Sequence, residues 1–150
     1  MRRLFIICLI LFCVQTDFAR ADILKDILGS WKVSSELYRN GKKISLSIGT
    51  ARVSRHGKRG LYIVETIPGD DTKHTWLRDS GDYRVKFGSK FVPLSAKWKL
   101  VGGKLVINQK YKNLVGSTTV SMVNKKKIIS ISSYTEWGDT MKNLTTLTRK

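Results

Sequence analysis

The chain has 150 residues, with 28 Lys+Arg against 11 Asp+Glu, two Cys and two Pro, and a net charge of +17. That length fits one domain. A hydrophobic fraction of 41% supplies a core and excludes a disordered polyelectrolyte, and no apolar run is long enough to cross a bilayer as a helix.

Met1-Arg2-Arg3 is a short basic start, Leu4 to Val14 is an uninterrupted apolar run, and Ala19-Arg20-Ala21 offers small residues around a cleavage point. This pattern predicts a secretory signal peptide over 1–21 and an exported domain over 22–150, periplasmic or secreted. Cleavage removes Arg2, Arg3, Arg20 and Asp17, which takes the net charge from +17 to +15. It also removes Cys8 and Cys13, so no disulfide, thiol chemistry or cysteine metal site is expected in the domain.

Asp22 to Leu28 places Ile23, Leu24, Ile27 and Leu28 at helical spacing and predicts one or two turns of helix. The period then becomes two. Trp31, Val33, Ser35 and Leu37 alternate with Lys32, Ser34 and Glu36, as a half-buried strand should. Asn40-Gly41 predicts a hairpin turn. Ile44 to Ile48 is a strand, and Gly49 predicts a bend before Thr50–Arg55. Further strands are expected over 61–67, 72–79, 83–87, 96–101, 104–112, 117–124, 127–136 and 140–149, parted by Gly-, Asp- or Lys-rich turns. Phe91-Val92-Pro93 reads as a bend, since Pro has no donor for a central ladder.

After the first helix no segment can serve as a parallel crossover, so consecutive strands form antiparallel hairpins. The expected fold is all-β, an antiparallel up-and-down β-barrel of 8–10 strands with a short N-terminal helix, because closure removes exposed edges. A two-sheet sandwich is the alternative.

A short helix, Gly29-Ser30-Trp31 opening the first strand, and Arg149 ending the last one resemble the calycin superfamily of lipocalins, fatty-acid-binding-protein-like barrels and bacterial lipocalin-like relatives. The resemblance implies that Gly29, Trp31 and Arg149 close the barrel base, with the guanidinium packed across the indole. Haem-binding barrels of this kind carry a Gly-rich run after the Trp. Lys32-Val33-Ser34-Ser35 stands there instead, and no His lies near the C-terminus, so haem and other cofactors are not expected.

Candidate chemistry is sparse. His56 and His74 are isolated, and the one zinc arrangement open to them is His74 with Asp70 or Asp71; no metal site is expected. Ser34, Ser35, Ser45, Ser47, Ser130, Ser132 and Ser133 sit in alternating strand patterns without a nucleophile turn, and read as polar residues of the barrel faces. Glu65 and Glu136 are the carboxylates well within strands, and hydrolytic chemistry needs them to converge. The expectation is therefore a protein without catalytic residues.

Trp76, Tyr83, Phe87, Trp98, Tyr111 and Tyr134 each fall on one alternation class and are expected to line the interior. They would hold a small hydrophobic or planar ligand, or else fill the barrel completely. The opposite class places Arg84, Lys86, Lys97, Lys99, Lys104, Lys110 and Lys112 outside. That face suits an anionic lipid, polysaccharide or other envelope component, while export argues against nucleic acid. The same charge is also met by a plain solvated exterior. Asn143-Leu144-Thr145 is a glycosylation sequon only in a host that glycosylates.

Overall fold

The computed structural model describes residues 23–150, so the expected signal peptide and its cleavage point lie outside the described residues. A helical turn, α1 (Ile23–Asp26), precedes eleven strands: β1 (Gly29–Arg39), β2 (Lys42–His56), β3 (Gly60–Thr66), β4 (Lys73–Leu77), β5 (Tyr83–Phe87), β6 (Lys90–Phe91), β7 (Ser95–Val101), β8 (Lys104–Tyr111), β9 (Leu114–Asn124), β10 (Lys127–Glu136) and β11 (Asp139–Arg149). They form one antiparallel sheet in the order β6-β5-β4-β3-β2-β1-β11-β10-β9-β8-β7. Consecutive strands pair throughout except β6 and β7, which form the two edges, and the one pairing between strands distant in the chain is that of β1 with β11 over Trp31–Arg39.

The sheet curls until its two edges approach, and it joins along only part of the seam. Asp82 bridges Lys97, the Trp98 amide donates to the Gly81 carbonyl at 2.8 Å, and the Trp98 indole N–H donates to the Arg78 carbonyl at 2.8 Å. The β4–β5 turn is thus stitched to β7 at the base. At the other end β5 pairs instead with β6, and the barrel stays open there. The two-residue β6 lies where a bend was expected; the Val92 amide holds it by donating to the Val85 carbonyl at 2.9 Å. With β6 counted, the strands exceed the expected ten by one.

The predicted turns act where a backbone needs positive φ. Asn40 and Gly41 have φ of 49° and 79°, and Trp137 and Gly138 have 53° and 84°. Both are two-residue hairpin turns whose twist matches the strands they join. The Asn40 side chain links the two tips, donating to Asp139 at 2.7 Å and accepting from the Thr140 amide at 2.9 Å. Gly49 does not break its strand. It sits inside the single strand β2, where a Cβ would run into the Thr66 carbonyl, so Gly here permits close backbone approach.

The core fills the base. Trp31, Leu61, Leu77, Leu105 and Ile128 are the largest fully buried side chains, and Ile23, Leu24 and Ile27 cap them from α1. One exposed carboxylate fixes the β2–β3 turn beside that base. Asp79 accepts from the amides of Lys58, Arg59 and Gly60 at 2.8, 2.7 and 2.7 Å. The amides of Arg59 and Lys58 are the main reason its pKa lies below the ordinary aspartate value. A depressed carboxylate stabilises the fold above its unfolded pKa and loses that contribution as pH falls through the folded one. Asp79→Ala is therefore expected to lower the urea midpoint at neutral pH. The gap to wild type should stay constant from pH 7 to 5 and close below about pH 4. A gap independent of pH would mean that the carboxylate charge is not what holds the turn.

Candidate functional site

Strand alternation sends Val33, Ser35 and Leu37 inward from β1, and the paired register fixes which residues face them. Above the filled base lies a cavity of about 630 Å³. One wall is mainly apolar, built from Val53, Ile63, Val85, Leu105, Ile107 and Val120, with Thr75 and the charged side chains of Glu65 and Lys73 set into it. The other wall is polar and runs across four neighbouring strands. Ser35 pairs with Thr145 and Thr145 with Ser130; one row higher, Asn143 pairs with Ser132 and Ser132 with Thr118. All six line the cavity.

These groups are already ordered. Ser35 donates to the Asn143 side-chain oxygen at 2.7 Å. Having spent its proton there, Ser35 accepts from the Thr145 hydroxyl at 2.9 Å. Thr118 and Ser132 share a bond of 2.8 Å. Toward the mouth a second cavity of about 400 Å³ shares Ser35, Gln109, Ser132 and Asn143, and adds Leu37, Ser45, Ser47 and Tyr134. The polar wall therefore runs from mid-barrel to the mouth.

A charged pair sits on the opposite side. Glu65 and Lys73 are register partners on β3 and β4, and the Lys73 Nζ lies 2.7 Å from a Glu65 carboxylate oxygen. Burial pulls the Lys73 pKa down, but Glu65 and Tyr83 outweigh it and the net shift is upward. Lys73 is therefore an ammonium at neutral pH, and its amine is not free as a nucleophile. The Tyr83 phenol is pushed up, chiefly by burial, so it stays a neutral hydroxyl.

The expected ring-lined interior needs correction. Tyr83 and Phe87 line the main cavity and Tyr134 the upper one. Trp98 is buried in the core and lines neither, its indole held by Arg78. Tyr111 also lines neither; it sits at the end of β8 with the Lys112 ammonium 5.4 Å from its ring centroid. Trp76 is on the outer face. Leu77 is fully buried against its partners Leu61 and Tyr83, and the period of two then sends Trp76 outward.

At the base, Arg149 lies with its guanidinium carbon 4.4 Å from the centroid of the Trp31 ring. It donates to the carbonyls of Asp26, Leu28 and Lys125 at 2.6, 3.2 and 3.0 Å. Gly29 enters β1 with φ of 121°, and a Cβ there would press on the Arg149 guanidinium.

Arg84 and Lys86 on β5 and Lys97 and Lys99 on β7 face outward on the two sides of the seam, with Lys110 beyond them on β8. Lys104 starts β8, whereas Lys112 lies past its far end in a turn with φ of 51°. Lys97 is paired with Asp82.

His74 shares a 2.7 Å hydrogen bond with the Tyr62 hydroxyl on the outer face, while Asp70 and Asp71 line the inner mouth, so the zinc arrangement does not assemble. Among the described residues there is no group of three or more His, Cys, Asp or Glu placed to hold a metal ion. Glu65 faces the cavity and Glu136 does not line it, so the two do not converge. Among the described residues no helix is long and apolar enough to cross a membrane.

No family model and no curated protein sequence matches this chain. Among solved structures it is similar to an S-type phycobiliprotein lyase from Guillardia theta, with 12% identity over 91% of this chain and 92% of that one and a TM-score of 0.57. A redesigned β-barrel, mFAP0, bound to DFHBI, aligns at 17% identity over 83% of this chain and 99% of that one, with a TM-score of 0.46. At these identities the likeness to the lyase is one of fold. The chain folds as an antiparallel β-barrel similar to that of the lyase, curled and closed at one end.

Proposed function

We propose that this chain is an exported binding protein that holds a small amphipathic molecule in its barrel cavity. The observation that carries the reading is the division of that cavity into an apolar wall and a wall of ordered hydroxyl and carboxamide groups. A purely apolar ligand would leave the polar wall facing hydrocarbon, which costs free energy at each unmatched group. A molecule with an apolar body and several hydrogen-bonding groups along one edge matches both walls. Glu65 is tied to Lys73 in an ion pair, which favours holding over chemistry. The basic start and apolar run of the first residues support export.

The test is native mass spectrometry of the protein purified from its own host. The expected result is a reproducible added mass that is lost on denaturation. Ser132→Leu projects a bulky apolar group into the polar wall beside Thr118 and Asn143, and is expected to abolish that added mass while the fold survives. A wild-type protein that carries no added mass, and takes none up from its host's own small-molecule extract, would overturn the reading.

A further inference from the structure

Two hairpin turns at the open end of the barrel share a backbone and differ in their side chains. Asn40-Gly41 joins β1 to β2 and Trp137-Gly138 joins β10 to β11, and the first residue of each holds a positive φ, 49° and 53°. Asparagine suits that position because a short polar side chain tolerates the left-handed region, whereas a bulky residue is strained there. Nothing inside the fold offsets the strain at Trp137, which is 97% exposed. The chain thus holds an indole in water on a turn where asparagine would be more stable. A ring kept in that place acts on something outside the chain.

Its surroundings say what that is. The turn stands on the rim of the cavity mouth, since Tyr134 just before it lines the upper cavity. The β8–β9 turn at Lys112 is on the same rim, because Gly116 pairs with Tyr134. Ser45 and Ser47 line the upper cavity, so the period of two turns Ile44 and Leu46 outward below Asn40-Gly41. Val115 faces out below Lys112. Ile44 is nearly half exposed, and Leu46 and Val115 are more than half exposed. Most acids near these tips are taken: Asp139 by Asn40 and Arg39, Glu36 by Tyr38 and Lys43. Lys42, Lys112 and Lys142 are exposed and in no ion pair among the described residues, with Glu136 the one acid beside the tips not so engaged. Across the mouth, Asp70 and Asp71 line the cavity.

We propose that this rim docks on an anionic lipid surface, with Trp137 in the interfacial layer and Lys42, Lys112 and Lys142 against the headgroups. An indole has an apolar body and a polar N–H, which suits it to the boundary between acyl chains and water. Lysines at that depth are drawn to anionic headgroups. The exposed groups are separate projections around an opening, a shape that a fluid bilayer surface accepts. A second copy of the chain would set like charges against each other. Docking lays the cavity mouth on the bilayer, so an amphipathic molecule passes between them without crossing water. The docking itself does not depend on what the cavity holds.

The experiment uses the protein purified from its own host and vesicles of phosphatidylcholine with or without phosphatidylglycerol. Flotation reads binding, and quenching of Trp emission by brominated lipid reads the depth of the ring. Binding is expected to need phosphatidylglycerol, and most of the quenching to vanish in Trp137→Asn. That variant installs the residue of the neighbouring turn, so the urea midpoint should hold or rise while vesicle binding weakens about tenfold. Lys42→Gln with Lys142→Gln is expected to weaken binding about fivefold for each charge removed. Lys99→Gln with Lys104→Gln removes the same net charge at the closed end, beyond the screening length from the rim, and should change binding less than about twofold. Equal losses from the two lysine pairs would reduce the interaction to net charge and overturn the proposal. So would absence of vesicle binding, full binding by Trp137→Asn, or a urea midpoint that falls in that variant, which would give the ring to the fold. Trp137-dependent binding of soluble polyglutamate, or Trp137-dependent self-association without vesicles, would assign the rim to another partner and overturn it as well.

Discussion

Trp31→Ala is expected to destabilise the fold by about 3–5 kcal/mol, the usual cost of removing a buried Trp. The indole is 0% exposed and lies at the centre of the base cluster. Its register partners are Ala51 on β2 and Arg149 on β11, so the neighbouring position on β2 is too small to fill the space it would leave. The indole N–H donates to the Ile27 carbonyl at 2.8 Å, which ties the α1 cap to the first strand. Alanine thus removes packing, releases the cap and strips the Arg149 guanidinium of its aromatic face. Against a total stability of about 5–15 kcal/mol, such a loss brings the domain close to unfolding. Trp31→Phe keeps a ring but leaves the Ile27 carbonyl unmatched, and is expected to cost about 1–3 kcal/mol. Urea unfolding of the two variants checks both figures. A loss below about 1 kcal/mol for alanine would mean that the base packs without the indole.

What the sequence reveals here follows how local each cause is. Asn40-Gly41 and Trp137-Gly138 mark hairpins because positive φ is a property of the dipeptide itself. The placement of Trp76 is not local. Trp76 and Leu77 are adjacent and both apolar, so alternation alone supports either register; cross-strand packing of Leu77 on Leu61 and Tyr83 decides it. The polar wall is less legible still. A serine suits either face of a strand, and Ser35 meets Thr145 only because the first strand pairs with the last. Of the seven serines that the alternation marks as barrel-face residues, Ser35, Ser45, Ser47, Ser130 and Ser132 face the cavities while Ser34 and Ser133 belong to the outer alternation class. Glu65 and Lys73 fall on the inward class of their strands, but nothing in either strand alone shows that they pair. The outer cluster of Tyr62, His74, Trp76 and Phe91 depends equally on register, because its four rings come from β3, β4 and β6.

Arg149→Lys is expected to cost nearly as much stability as Arg149→Ala, about 2 kcal/mol, although it keeps the charge. The reason is geometry. The three carbonyls that the guanidinium reaches belong to Asp26 in α1, Leu28 at its exit and Lys125 in the β9–β10 turn. A planar fork addresses all three while its face rests on Trp31; an ammonium reaches one of them and has no face to stack. The outer side of Arg149 is exposed, so the figure is set near the lower end of what charged hydrogen bonds contribute. A double-mutant cycle with Trp31→Ala should show a coupling of about 1 kcal/mol for the stacked pair. Hydrogen exchange should show the amides of Ile27 and Leu28 losing protection first, since α1 is what the two side chains jointly hold. If the lysine variant instead matches wild type, charge alone suffices and the fork is incidental. If the cycle shows no coupling, the indole and the guanidinium close the base independently, and α1 is secured by the carbonyl bonds without help from the stack.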